Sequence, residues 1–282
     1  EKKPPMTDNI SMLSTPSPAT PAFRRGKNLI AVASGKGGVG KTWFSITLAH
    51  ALARQGKKVL LFDGDLGLAN VDVQLGLMPK RDLNDVIRGR LSLDKVIQPY
   101  EEGGFDIVAG RSGQASLSAL PSQRLALLRD QLLDVASQYD VVIADLGAGV
   151  DRTVRMLSAS ATRTVLITTD EPTSLTDAYA FIKLGNAAGL SKHISIVVNM
   201  APSITEGEKT YKTLLKACEN FLRLSPPMAG MVRQDPKVKD CIRHQTPLLI
   251  RSPNADAAED VEDIARDLWS ALQESQRAAA GV

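Results

Sequence analysis

From residue 29 onward the chain alternates short, continuous apolar runs with longer stretches in which apolar residues recur every three or four positions. The runs fall at 29–33, 58–62, 105–108, 140–144, 164–168, 194–198 and 228–232. Most show no in–out alternation, which marks strands covered on both faces. Helical periodicity fills the intervals, at 43–54, 82–88, 121–137, 152–159, 173–188, 207–223 and 255–274. Strands alternating with helices predict an α/β fold: a doubly wound, mostly parallel sheet with helices on both faces, binding ligands at the carboxyl ends of its strands. One domain is expected over 28–276. It is flanked by a flexible Pro/Ser/Thr-rich tail at 1–27 and a short tail at 277–282.

Between the first run and the first helical stretch stands Ser34-Gly35-Lys36-Gly37-Gly38-Val39-Gly40-Lys41-Thr42. Strand, glycine-rich turn and helix form the context of a phosphate-binding loop, and Gly35-x4-Gly40-Lys41-Thr42 has its spacing. Glycines let the backbone curl until successive N–H groups, with the helix N-terminus behind them, face phosphate oxygens. Lys41 is placed to reach the β- and γ-phosphates of ATP, and the Thr42 hydroxyl to ligate Mg²⁺. The Trp43 N–H can serve the α-phosphate, while its ring has to pack elsewhere.

Three further segments lie at expected strand ends. Asp63 and Asp65 follow the second run, where a carboxylate either holds the Mg²⁺ shell or positions an attacking water. Asp145 ends Val141-Val142-Ile143-Ala144, the Walker B arrangement, and is expected to hold Mg²⁺ through water. Asn199 ends the sixth run and either pairs with adenine or caps a turn. Arg233-Gln234-Asp235-Pro236, after the last strand, is a candidate for the base pocket.

Lys36, directly after the first glycine, gives the form Lys-Gly-Gly-Val-Gly-Lys-Thr, and here the chain resembles the MinD/ParA family of P-loop ATPases. Asp65 to Asp72 and Asp170 to Tyr179 make it most similar to the FlhG/FleN branch, whose members limit flagellar number and placement. The resemblance covers 28–276. It implies an ATP-dependent homodimer in which Lys36 reaches across to the partner's nucleotide. It also implies that Asp63 lies near the metal waters, Asp65 near the hydrolytic water and Asn199 at the adenine. The binding residues carried over are Gly35, Lys36, Gly37, Gly38, Val39, Gly40, Lys41, Thr42, Trp43 and Asn199, with Lys36, Lys41 and Asp65 in catalysis and Thr42, Asp63 and Asp145 at the metal. The expected function is an ATPase acting as a spatial or numerical regulator, with protein partners in a flagellar or polar-positioning system. A ParA-type partitioning or division-positioning ATPase is the alternative. The chain departs from the family pattern at Trp43 and at Leu146-Gly147, after the Walker B acid.

Composition narrows these readings. The formal charge is +3, and Lys2, Lys3, Arg24, Arg25 and Lys27 against Glu1 and Asp8 place that excess in the first 28 residues. A formally neutral body speaks against nucleic acid as a partner. Cys218 and Cys241 are isolated, so an iron–sulfur relative is not indicated and a reduced, cytoplasmic protein is expected. No apolar run approaches the ~20 residues that span a bilayer. The face of 255–274 opposite its apolar stripe carries Asp256, Glu259, Asp260, Glu262, Asp263 and Asp267, which anionic lipid would repel. Peripheral contact with the inner face of the membrane stays open, without a visible anchor.

Overall fold

The computed structural model describes residues 25–65, 67–110, 120–189 and 193–280. In chain order these form β1 (Leu29–Ser34), α1 (Lys41–Arg54), β2 (Val59–Gly64), α2 (Val71–Leu75), α3 (Leu83–Ile87), β3 (Gln98–Tyr100), β4 (Phe105–Val108) and α4 (Ser122–Ala136). There follow β5 (Val141–Ala148), α5 (Arg152–Ser160), β6 (Arg163–Thr168), α6 (Pro172–Ala187), β7 (Ile194–Ala201), α7 (Ile204–Leu222), β8 (Met228–Arg233), α8 (Pro236–Arg243), α9 (Leu248–Arg251) and α10 (Asp256–Ala280).

The strands make one eight-stranded sheet in the order β3-β4-β2-β5-β1-β6-β7-β8. Every pairing is parallel except β3 with β4. All seven expected strands are present. The eighth, β3, is a three-residue edge with Pro99 at its centre, too short and too polar to register as an apolar run. It returns against β4 through Gly103 and Gly104, whose N–H groups both donate to the Tyr100 carbonyl.

Successive residues of a strand point to opposite faces, and here both faces are packed. Ile30 and Val32 of β1, Val59 and Leu61 of β2, and Val141 and Ile143 of β5 join α1 and α10 in one core. Leu29, Ala31 and Ala33, Leu60 and Phe62, and Val142, Ala144 and Leu146 join residues of α3 to α7 in the other. That parity aims Asp63 and Asp145 at the side where α1 lies. It sends Leu146 away into the second core, so its departure from the family pattern does not touch the site.

Two boundaries differ from the sequence expectation. Residues 1–24 of the expected tail lie outside the described residues, but Gly26 is already tied down: its N–H donates to Ser160 O at 2.8 Å, and its carbonyl accepts from Thr162 Oγ1 at 2.7 Å. At the other end α10 continues to Ala280 rather than stopping at 274. Gln276, Arg277 and the alanines after them favour helix, and no Gly or Pro intervenes.

Candidate functional site

At the carboxyl ends of β1, β2 and β5 the structure has a cavity of about 810 Å³. The loop Gly37–Thr42 forms its floor, and Asp65, Gly147, Asn199 and Arg233 stand in its walls. Gly40, with φ at 82°, is the turn into α1. A Cβ there would strike the Asn199 amide, so only glycine permits both the turn and the close approach. No side chain caps α1. Its first N–H groups are therefore left for an anion.

Asp145 is the centre of the arrangement. Its Oδ1 accepts from Lys41 Nζ at 3.1 Å and from Ser45 Oγ at 3.0 Å, and its Oδ2 accepts from Thr42 Oγ1 at 2.6 Å. Lys41 and Asp145 are only 8% and 1% exposed. Sequence reading found Lys41 and Thr42 but missed Ser45. The signal was there, since a residue four beyond Lys41 lies on the same helix face.

Asp63 lies directly opposite Asp145 in the β2–β5 register and is fully buried. Burial first, and the neighbouring Asp145 carboxylate second, push its pKa up to about 8. The N–H groups of Val71 and Asp65, both at 3.3 Å, partly offset this. Only one of these two buried carboxylates has a cationic partner among the described residues, Lys41 on Asp145, so Asp63 keeps its proton until further positive charge arrives. Mg²⁺ fits this deficit, being a hard cation taken by one or two carboxylates together with nucleotide phosphates. Among the described residues no group of three or more His, Cys, Asp or Glu could hold a metal alone.

Asp65 closes the loop after β2. Its Oδ1 accepts from the N–H groups of Gly67 at 3.2 Å and Leu68 at 2.9 Å, and its side chain lies near Gly147. Trp43 is buried with α1's core residues, as its bulk requires. Asn199 is buried in the wall, where its Nδ2 donates to the Val39 carbonyl at 2.8 Å. One of its amide donors thus braces the glycine-rich loop, a partner the sequence did not suggest. Arg233, Gln234 and Asp235 line the cavity, Pro236 does not, and Met200, Val238 and Ile242 join them. Arg233 also ties β8 to α10, its Nε donating to both Asp260 oxygens, at 3.1 and 3.0 Å.

Lys36 stands apart from this cluster. Its Nζ donates to Glu171 Oε2 at 2.6 Å and to Thr173 Oγ1 at 2.9 Å, at the start of α6 in the same chain. The lysine expected to reach outward is therefore engaged within its own subunit. Neither partner was found from sequence, because a helix-start acid gives no hint of what it faces.

The CobQ/CobB/MinD/ParA nucleotide-binding domain model matches residues 30–248. The chain is 40% identical over 243 residues to the antiactivator FleN of Pseudomonas aeruginosa, covering 86% of each protein. It is 32% identical over 248 residues to the flagellum site-determining protein YlxH of Helicobacter pylori, covering 86% of this chain and 82% of that one. Among solved structures it resembles the cell division ATPase MinD of Pyrococcus furiosus, with a TM-score of 0.74 at 22% identity over 87% of this chain and 99% of that one. It also resembles MinD of Pyrococcus horikoshii complexed with Mg-ADP, with a TM-score of 0.72 at 24% identity over 86% and 95%.

Proposed function

The chain belongs to the CobQ/CobB/MinD/ParA nucleotide-binding family, and from that membership we propose that it is a Mg-ATP-dependent dimerising ATPase that regulates the number or placement of flagella. The observation that carries the nucleotide assignment is the convergence of Lys41, Thr42 and Ser45 on Asp145 beneath the glycine-rich loop. Similarity to FleN and YlxH over more than four-fifths of each protein supports the flagellar role. The partitioning alternative draws no support from bulk charge, since the body beyond residue 28 is formally neutral.

In this reading the loop N–H groups and the first turn of α1 bind the phosphates, and Lys41 turns from Asp145 to the β- and γ-oxygens. Thr42 would hold Mg²⁺ directly and Asp145 through water, with Asp63 beside the metal waters. When bound, the ion supplies Lewis-acid relief of charge on the phosphates. Asp65, at the mouth of the cavity, orients the attacking water. Asn199 and Arg233-Gln234-Asp235 flank the base. The partner's Lys36 meets the charge that builds on the transferring phosphoryl group, as an arginine finger does. Protein partners come from a flagellar or polar-positioning system. The protein works in the cytoplasm, and no helix among the described residues is long and apolar enough to cross a membrane.

Light scattering after size exclusion, with ATP, ADP or no nucleotide, tests this reading. Dimers with ATP alone, and phosphate release that depends on them, are expected. A monomer under all three conditions contradicts it, and dimers that retain DNA at moderate salt support partitioning instead.

A further inference from the structure

Among the described residues three donors reach the Asp145 carboxylate. Lys41 Nζ at 3.1 Å and Ser45 Oγ at 3.0 Å serve Oδ1, and Thr42 Oγ1 at 2.6 Å serves Oδ2. Ser45 is fully buried in the second turn of α1 and has another acceptor at hand, the Lys41 carbonyl at 3.1 Å. A hydroxyl carries one proton, so one acceptor has it at a time. The carbonyl four residues back is the ordinary choice in a helix; Thr47, two residues on, donates to Trp43 O at 2.9 Å. At Ser45 the proton has a choice, and Asp145 Oδ1 already has a charged donor in Lys41.

We infer that Ser45 is a positioning residue: it takes over as donor to Asp145 Oδ1 when Lys41 leaves for the phosphates, and so keeps Oδ2 turned toward Thr42. This rests on the Mg-ATP reading proposed above. Once Lys41 turns to the β- and γ-oxygens, Oδ1 loses its charged donor. Asp145 is only 1% exposed, so bulk water is not there to replace it. A buried oxygen left unmatched is costly. Both acceptors already lie within 3.1 Å of Ser45 Oγ, and turning its O–H moves the proton from one to the other. No heavy atom has to travel. The Lys41 carbonyl loses little, because the helix ladder supplies it with a backbone N–H. Asp145 thus keeps one orientation before and after the lysine moves, which is what a hydrogen-bonded outer partner gives a metal ligand. Removing such a partner weakens metal binding by roughly 10- to 100-fold. Thr42 still engages Oδ2, which puts the effect near the lower end, about tenfold.

The test uses the full chain with Ser45→Ala, and with Thr47→Ala as a control that loses a back-bond within the same helix. Alanine is the best helix former and buries no polar atom, so both variants keep α1. Titration calorimetry measures ADP affinity in EDTA and across a series of free Mg²⁺ concentrations, with no turnover involved. Affinity in EDTA is expected to match the wild type in both variants. The Mg²⁺ concentration giving half of the metal-dependent gain should rise about tenfold in Ser45→Ala alone. An unchanged Mg²⁺ requirement in Ser45→Ala overturns the inference. An equal rise in Thr47→Ala also overturns it, since the effect then belongs to the helix and not to Asp145. So does a loss in EDTA as large as the loss with Mg²⁺, which places Ser45 in the packing of the loop. If wild-type ADP affinity does not respond to Mg²⁺ at all, the Mg-ATP reading itself fails, and the role of Ser45 fails with it.

Discussion

Lys41 and Lys36 stand at the two ends of one glycine-rich loop, and the protein holds them by different physics. Lys41 is buried against Asp145, which Thr42 and Ser45 also engage. Lys36 is part-exposed against Glu171 and Thr173, on a helix start facing solvent. A buried ion pair contributes little net stability but is costly to break, because the remaining charge is stranded. An exposed pair is cheap to make and to lose. The inner region is accordingly a fixed frame, and the outer one is exchangeable. Each measurement below breaks or sharpens that contrast.

The largest effect is expected from Asp145→Ala. Stranding Lys41 in a buried site costs about 3–5 kcal/mol. Urea unfolding without nucleotide measures it, and a loss no greater than that of a surface substitution would dissolve the contrast.

The next concerns pH. Asp63 is pushed up to about 8 by burial and by Asp145, against an unfolded value near 3.8. Between those values the folded state keeps a proton that the unfolded state has given up. Stability of the nucleotide-free protein therefore falls as pH rises through about 4 to 8, by roughly a few kcal/mol. Asp63→Asn should remove that part of the slope. The checking experiment is paired unfolding curves of the two proteins across this range, which should converge at the acid end and separate toward pH 8.

Third comes Lys41→Ala, which removes a charge-assisted contact to phosphate worth roughly 1.5–3 kcal/mol. Titration calorimetry should show ATP affinity down by more than tenfold. The smallest effect belongs to Lys36→Ala: monomer stability within about 0.5 kcal/mol of wild type, as for an ordinary surface change, and ATP affinity of the monomer nearly intact.

The difference between the regions also explains what the sequence disclosed. The inner frame is written in local spacing: glycines and Lys41-Thr42 after a strand, and an acid ending an apolar run. The parallel sheet follows from runs covered on both faces. Ser45 was open to the same helical arithmetic. The partners of Lys36 were not, since they come from residues more than a hundred positions away and meet the loop only through the β1–β6 pairing. Edge strand β3 and helix α8 escaped for a related reason: three residues around Pro99, and a short helix from Pro236 to Arg243 rich in charge, carry too little apolar pattern.

The most direct test of the account is complementation between two inactive chains, Lys36→Ala and Asp65→Ala. A mixed dimer holds one site that keeps its own Asp65 and receives Lys36 from the other chain. If Lys36 works across the dimer, ATP turnover should return on mixing, to about a quarter of the wild-type rate per chain when subunits pair at random. If mixed dimers form and turnover stays at the level of the separate variants, Lys36 acts within its own subunit and the exchange between regions does not occur.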